Sequence, residues 1–206
     1  MSISLDRHRR GKIIMKKFHL YIVVTRTNTV LSRLIQLVKN DEYTHAAIAL
    51  DMGLDSMYSF GRRHTYNPFV GRFKRKTFGK GAYKFCKIVP GVIMEVEVSE
   101  DQYERVIVLL EHFISNKGFY KYNYKGLLYG LFNKEAYCDD CFLCSEFVYY
   151  LLNESGIVDF RISRNLVRPQ NLLHLKSKII YEGDLKDVKF TNNYWNTKKI
   201  SLSESS

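Results

Sequence analysis

Tyr43-Thr44-His45-Ala46-Ala47-Ile48-Ala49-Leu50 reads as a strand that carries a histidine among small residues. Its counterpart, far along the chain, is Phe142-Leu143-Cys144-Ser145-Glu146-Phe147-Val148-Tyr149-Tyr150-Leu151-Leu152, a helix with a cysteine in its first turn. Strand alternation sets His45, Ala47 and Ala49 on one face and Ala46, Ile48 and Leu50 on the other. Two alanines beside the histidine predict that a helix comes close to that face. In the helix, Leu143, Phe147, Tyr150 and Leu151 form the buried stripe, and Cys144 lies one residue off it. First-turn amides lower a thiol's pKa and can donate to an oxyanion, while an imidazole on a neighbouring strand can take the thiol proton. The plainer readings are a buried small hydrophobe for Cys144 and a hydrogen-bonded structural histidine for His45. Of the other histidines, at 8, 19, 64, 112 and 174, only His64 rivals His45 as a base.

Working outward, residues 18–25 alternate and are rich in β-branched side chains, which predicts a strand. Asn28 can cap a helix over 29–39. The turn Asp51-Met52-Gly53-Leu54-Asp55 predicts a hairpin whose second strand runs from Ser56 to Gly61. Residues 62–87 read as a long basic loop, with local strand near 85–89. A strand over 92–98 precedes Ser99-x-x-Gln102, a capping box that opens a helix to about Ile114. A short helix is expected over 124–131, and Gly156 stands where the cysteine helix should be capped. Pro169 opens one or two further turns, and 178–182 and 187–190 read as edge strands. The elements show no βαβ rhythm, so the expected class is α+β with a mostly antiparallel sheet. Residues 1–16 read as a basic arm, 17–191 as a single domain, and 192–206 as a poorly ordered tail.

The chain has 206 residues, 46% hydrophobic, which is enough to bury a core and excludes a disordered chain. Its net charge is +11. Between Ser56 and Met94 there is no Asp or Glu, yet Arg62, Arg63, Lys74 and Arg75 stand there among other cations. Such a stretch is either a solvated loop or a site for an anionic substrate, an anionic polymer or a membrane surface. Tyr66, Phe69, Phe73, Phe78 and Tyr83 interleave the charges and can grip a sugar, base or acyl chain. Nucleic acid is not the expected partner. No run reaches the roughly 18 apolar residues of a membrane span, and the basic start followed by Phe18–Val24 lacks a signal-peptide cleavage site. A cytoplasmic protein is expected, with Cys86, Cys138, Cys141 and Cys144 as reduced thiols.

Four stretches carry a family resemblance. They are Val24-Thr25-Arg26-Thr27-Asn28 with the helix after it, Tyr43–Ile48, Tyr122-Asn123-Tyr124 with Gly126-Leu127-Leu128, and Cys144-Ser145-Glu146-Phe147-Val148. With Val167-Arg168-Pro169 as its ending, the chain resembles the circularly permuted NlpC-type papain-like cysteine hydrolases, which are related to the lecithin retinol acyltransferases. Histidine before cysteine is the permuted order. The resemblance implies a papain-like sheet packed against the nucleophile helix, and a thiol hydrolase of amides or esters that needs no cofactor. It implies Cys144 as nucleophile and His45 as general base. Tyr122 would donate near the oxyanion together with the Cys144 amide. Where the family usually has a polar orienting group, often Glu, this chain has Ser56-Met57-Tyr58-Ser59-Phe60, and Ser59 is the nearest match. Substrates of the family include cell-wall peptides and lipid acyl groups, so a small-molecule, peptide or lipid substrate is expected.

Two alternatives stand beside it. A weakly active fold can serve as a binding module for an anionic polymer or membrane. Cys138-x-x-Cys141-x-x-Cys144 with Cys86 can instead form a four-thiolate zinc or iron–sulfur site, although Asp139 and Asp140 add repulsion there. Outside a metal site, Cys138 and Cys141 are loop thiols that can bond with Cys144 on oxidation.

Overall fold

The computed structural model describes residues 17–26, 36–54, 56–62, 71–76 and 87–188; at 62 and across 71–76, Phe73 excepted, it describes the backbone alone. Strand β1 (Phe18–Thr25) is buried from Leu20 onward because it is paired on both sides, with β2 (His45–Ala49) and with β5 (Pro90–Val98). The hairpin expected after Leu50 forms. Asp51 accepts the Ser56 amide at 3.2 Å, and β3 (Met57–Arg62) returns along β2 with Ile48 opposite Tyr58. Beyond β3 lies β4 (Gly71–Lys76), and β8 (Lys178–Asp184) closes the other edge. The sheet order is β4-β3-β2-β1-β5-β8, antiparallel throughout. The chain is therefore α+β with an antiparallel sheet.

The basic stretch is not a loop over its whole length. Gly71–Lys76 is a strand paired with β3, and charged residues suit an edge position because they discourage further pairing. Residues 87–89 are not strand, nor are 187 and 188; the rest of those two expected strands, and most of the 29–39 helix, fall outside the described residues. Residues 36–39 are helical and end at Asn40, which has a φ of 53°.

Helix α1 (Glu100–Ser115) opens on the Ser99–Gln102 capping box, as the spacing predicts. Helix α2 (Tyr124–Leu131) follows the two-residue strand β6 (Lys121–Tyr122), and α3 (Cys144–Glu154) follows β7 (Cys141–Phe142). Gly156, with a φ of 69°, ends α3 where a left-handed residue is needed. A short 3-10 turn runs Arg164–Leu166, and Pro169 opens another to His174.

Two apolar layers flank the sheet. On one face Leu20, Ile22, Val24, Ala46, Ile48, Phe60 and Met94 pack with Phe113 of α1 and with Phe147, Val148 and Leu151 of α3. On the other, Tyr21, Val23, Ala47, Ala49, Met57 and Ile93 pack with Leu54, Val89 and Leu185. Helix α3 therefore lies on the Ala46–Ile48 face. The expectation that Ala47 and Ala49 admit it is wrong: those alanines make room for Tyr21 and Met57 instead. Alternation tells which residues share a face but not which layer covers it.

Candidate active site

Helix α3 is buried nearly all round, from Cys144 to Leu152 with Tyr150 half-buried, so it is a core helix rather than a surface one. Its approach is fixed by an aromatic cluster. The Phe142 ring lies 5.3 Å from that of Phe60 and 5.1 Å from that of Phe113, so β7 is anchored just before the cysteine. Cys144 is an unbridged, buried thiol in the first turn. It opens on a narrow cavity of about 50 Å³. The walls include Leu127, Leu131, Leu143, Val167 and Pro169, and the polar groups include Thr44 and Tyr122. The first turn of α3 and Tyr122 thus face one space.

His45 opens β2 as Cys144 opens α3, and α3 packs across both β2 and β3. Antiparallel counting from Ile48–Tyr58 puts Ala47 opposite Ser59, one step from His45 on the same face, which by alternation is the face other than the one α3 covers. Ser59 is fully buried and its Oγ lies 3.2 Å from His45 Nε2. A serine hydroxyl has one proton to give. It goes to a main-chain carbonyl, that of Ala46 at 2.7 Å, with the Phe60 carbonyl at 3.1 Å as the other acceptor. Ser59 therefore accepts from His45, which assigns the proton to Nε2 and makes Nδ1 the basic nitrogen. Thr44, immediately before His45, is the β2-side residue that lines the cavity.

A buried polar knot that the sequence reading did not foresee holds the first turn of α3, where Cys144 stands. Glu146, only 1% exposed, accepts the Leu143 amide at 2.5 Å and both hydrogen bonds of the Asn123 amide, at 2.9 and 3.1 Å. Asn123 in turn caps α2 by accepting the Gly126 amide at 2.7 Å. The residue after Tyr122 is thereby tied to the residue before Cys144, and the parallel β6–β7 ladder sets Tyr122 beside Phe142. Burial pushes the Glu146 carboxyl up to about 7, against the hydrogen bonds that favour its charge. The signal was present: an acid at i+3 on the buried stripe begun by Leu143 demands a partner. Ser145 donates to the Val167 carbonyl at 2.6 Å, and Arg168 pairs with buried Asp41 at 2.6 Å, which fixes the loop that closes the cavity.

Cys138 and Cys141 are joined in a disulfide, which corrects the expectation of reduced thiols there. The bond takes up two of the four thiolates the metal reading needs, and Cys86 lies outside the described residues. The two half-cystines bond with each other and not with Cys144. Of the anion-binding candidates, Arg63 lies outside the described residues, and β4 sets Lys74 opposite Ser59 and Arg75 opposite Tyr58 along the backbone. Among the described residues no helix is long and apolar enough to cross a membrane. No family model, curated protein or solved structure matches the chain.

Proposed function

We propose that the chain is a thiol hydrolase of the permuted NlpC papain-like type, with Cys144 as nucleophile and His45 as base. The observation that carries the reading is the Ser59–His45 contact, which supports Nδ1 as the basic nitrogen of an imidazole at the head of β2. The unbridged thiol at the head of α3, in a cavity shared with Tyr122, supports the other half. Val167, Arg168 and Pro169, the ending expected from the family, line that cavity too.

In the proposed reaction the Cys144 sulfur attacks the acyl carbon as its proton passes to His45 Nδ1. The imidazolium gives that proton to the departing amine or alcohol, leaving a thioester. Water, deprotonated by the same nitrogen, then splits the thioester and restores the thiol. The Cys144 amide and the Tyr122 hydroxyl serve the oxyanion. The narrow, largely apolar walls favour a slender acyl group.

The test is the rate of Cys144 alkylation by iodoacetamide against pH in wild type and His45→Ala, with metal content assayed on the same sample. A thiolate reactive well below about pH 8, and lost with His45, is expected. An ordinary thiol titration in both proteins would sink the pair. One observation favours a second reading, a weakly active binding module: the orienter Ser59 is neutral, so it holds the tautomer without stabilising an imidazolium. Cys144→Ser separates the two, since only an enzyme loses turnover while it keeps ligand binding.

A further inference from the structure

From His112 to Lys134 the chain has no Asp or Glu, but it has Lys117, Lys121, Lys125 and Lys134, with nine aromatic and leucine residues from Phe119 to Phe132. Much of this segment is α2, a short helix whose apolar residues are not used up by the core. Leu127 and Leu131 line the Cys144 cavity, while Leu128, Tyr129 and Phe132 face out, Phe132 being 75% exposed. Lys39 also lines that cavity and donates to Asn133 Oδ1 at 2.5 Å, which brings the helical end 36–39 against the end of α2. That end adds Leu37, 84% exposed, and Val38. Lys125 stands over the Tyr129 ring at 5.6 Å. The mouth of the cavity is thus rimmed by exposed leucine and aromatic side chains with lysines among them.

We propose that this rim docks the protein on an anionic phospholipid surface, with the Cys144 cavity opening toward the acyl chains. Apolar and aromatic side chains enter the boundary between headgroups and chains, and lysine stems reach back so that their ammonium groups meet lipid phosphates and carboxylates. The charge complement argues for this occupant, because the rim segment lacks any carboxylate between His112 and Lys134 and the whole chain carries +11, although Lys121 is paired with Asp140 at 3.0 Å. Exposed contiguous apolar surface beside cations is what an interfacial protein presents. The rim residues are other than those of the basic 62–87 stretch, and docking does not depend on whether Cys144 turns over.

The experiment is co-sedimentation of the full chain with phosphatidylcholine vesicles, with and without about 30% phosphatidylserine. Wild type, Cys144→Ser and the double variant Leu128→Ser/Phe132→Ser are compared. Both changed side chains of the double variant are exposed, and an unchanged circular dichroism melt verifies its fold. Wild type and Cys144→Ser should bind the anionic vesicles equally and release with salt. The double variant should bind at least about tenfold more weakly, as expected when two apolar anchors leave the interface. Lys125→Glu, which leaves the apolar rim intact, should also weaken binding to the anionic vesicles. No vesicle binding overturns the proposal, and so does undiminished binding by the folded double variant. A concentration-dependent dimer that the double variant abolishes, without vesicle binding, assigns the rim to a second copy instead and also overturns it.

Discussion

Glu146 gives the most direct physical test of how the Cys144 turn is held. Its carboxyl is 1% exposed and burial raises its pKa from 4.5 to about 7. Between those two values the folded protein keeps a proton that the unfolded chain has released. The folded state then binds more protons, so stability falls as pH rises. The contribution is fully present below about pH 4.5 and fully lost above about pH 7. The difference of roughly 2.5 units, at about 1.4 kcal/mol each, amounts to about 3 kcal/mol, with no discount for solvent screening because the group is buried. Glu146→Gln removes the titration while keeping the shape. The assay is urea unfolding of both proteins at several values between pH 4.5 and 8. At an m-value of about 2 kcal/mol per molar, the wild-type midpoint should drop by about 1–2 M relative to the variant across that range. Parallel midpoint curves would mean that Glu146 keeps its ordinary pKa or is hydrated in solution, and the reasoning from burial would fail.

Four further outcomes are expected. Ser59→Ala should leave the fold standing but loosen the His45 tautomer, lowering the alkylation rate of Cys144 near neutral pH by about tenfold, as loss of a single orienting hydrogen bond of about 1.4 kcal/mol implies; stopped alkylation followed by mass spectrometry reads it. Gly91→Ala places a Cβ 2.6 Å from the Val24 carbonyl oxygen, between two paired strands, so the thermal midpoint should fall by several degrees or the protein should fail to fold. Arg168→Ala strands the carboxylate of Asp41, whose pKa is already raised by burial despite the arginine; because Arg168 is partly exposed the loss should be about 1–2 kcal/mol in urea unfolding at pH 7 and should shrink at acid pH as Asp41 protonates. Trapping the thiols under non-reducing conditions and mapping peptides should find Cys138 linked to Cys141 with Cys144 alkylated, and a Cys141–Cys144 link would refute the pairing.

Much of this fold can be read from local signals because its central elements obey local rules. The β-branched alternation at 18–25, the Ser99–Gln102 box, the helix at Tyr124–Leu131 and the glycine after α3 each follow from short-range sterics or capping, and each stands where the spacing puts it. What the sequence withholds is tertiary. Gly71–Lys76 has a single large apolar residue, Phe73, so nothing local distinguishes an edge strand from a basic loop until β3 offers its pairing groups. The β6–β7 ladder is two residues long, too short for any periodicity. The side of β2 that α3 covers depends on whether Ile48 or Ala49 meets a helix, and both are apolar. The histidine and cysteine segments could be picked out as candidate site pieces, whereas the Asn123–Glu146 knot becomes visible only when a buried acid is asked for its partner.

The hairpin that brings Ser59 to His45 spans 14 residues, whereas α3 reaches the same sheet from residue 144. Short-range pairing forms with little loss of chain entropy, and a chain made from its N-terminus completes β2 and β3 long before α3 exists. The oriented imidazole is thus assembled first and the thiol is delivered later. If the two act together, a nascent or half-folded molecule carries no activated sulfur, and its reactivity switches on only when α3 seats. In that case the timing of the reactivity is set by the order in which the halves of the site are written along the chain.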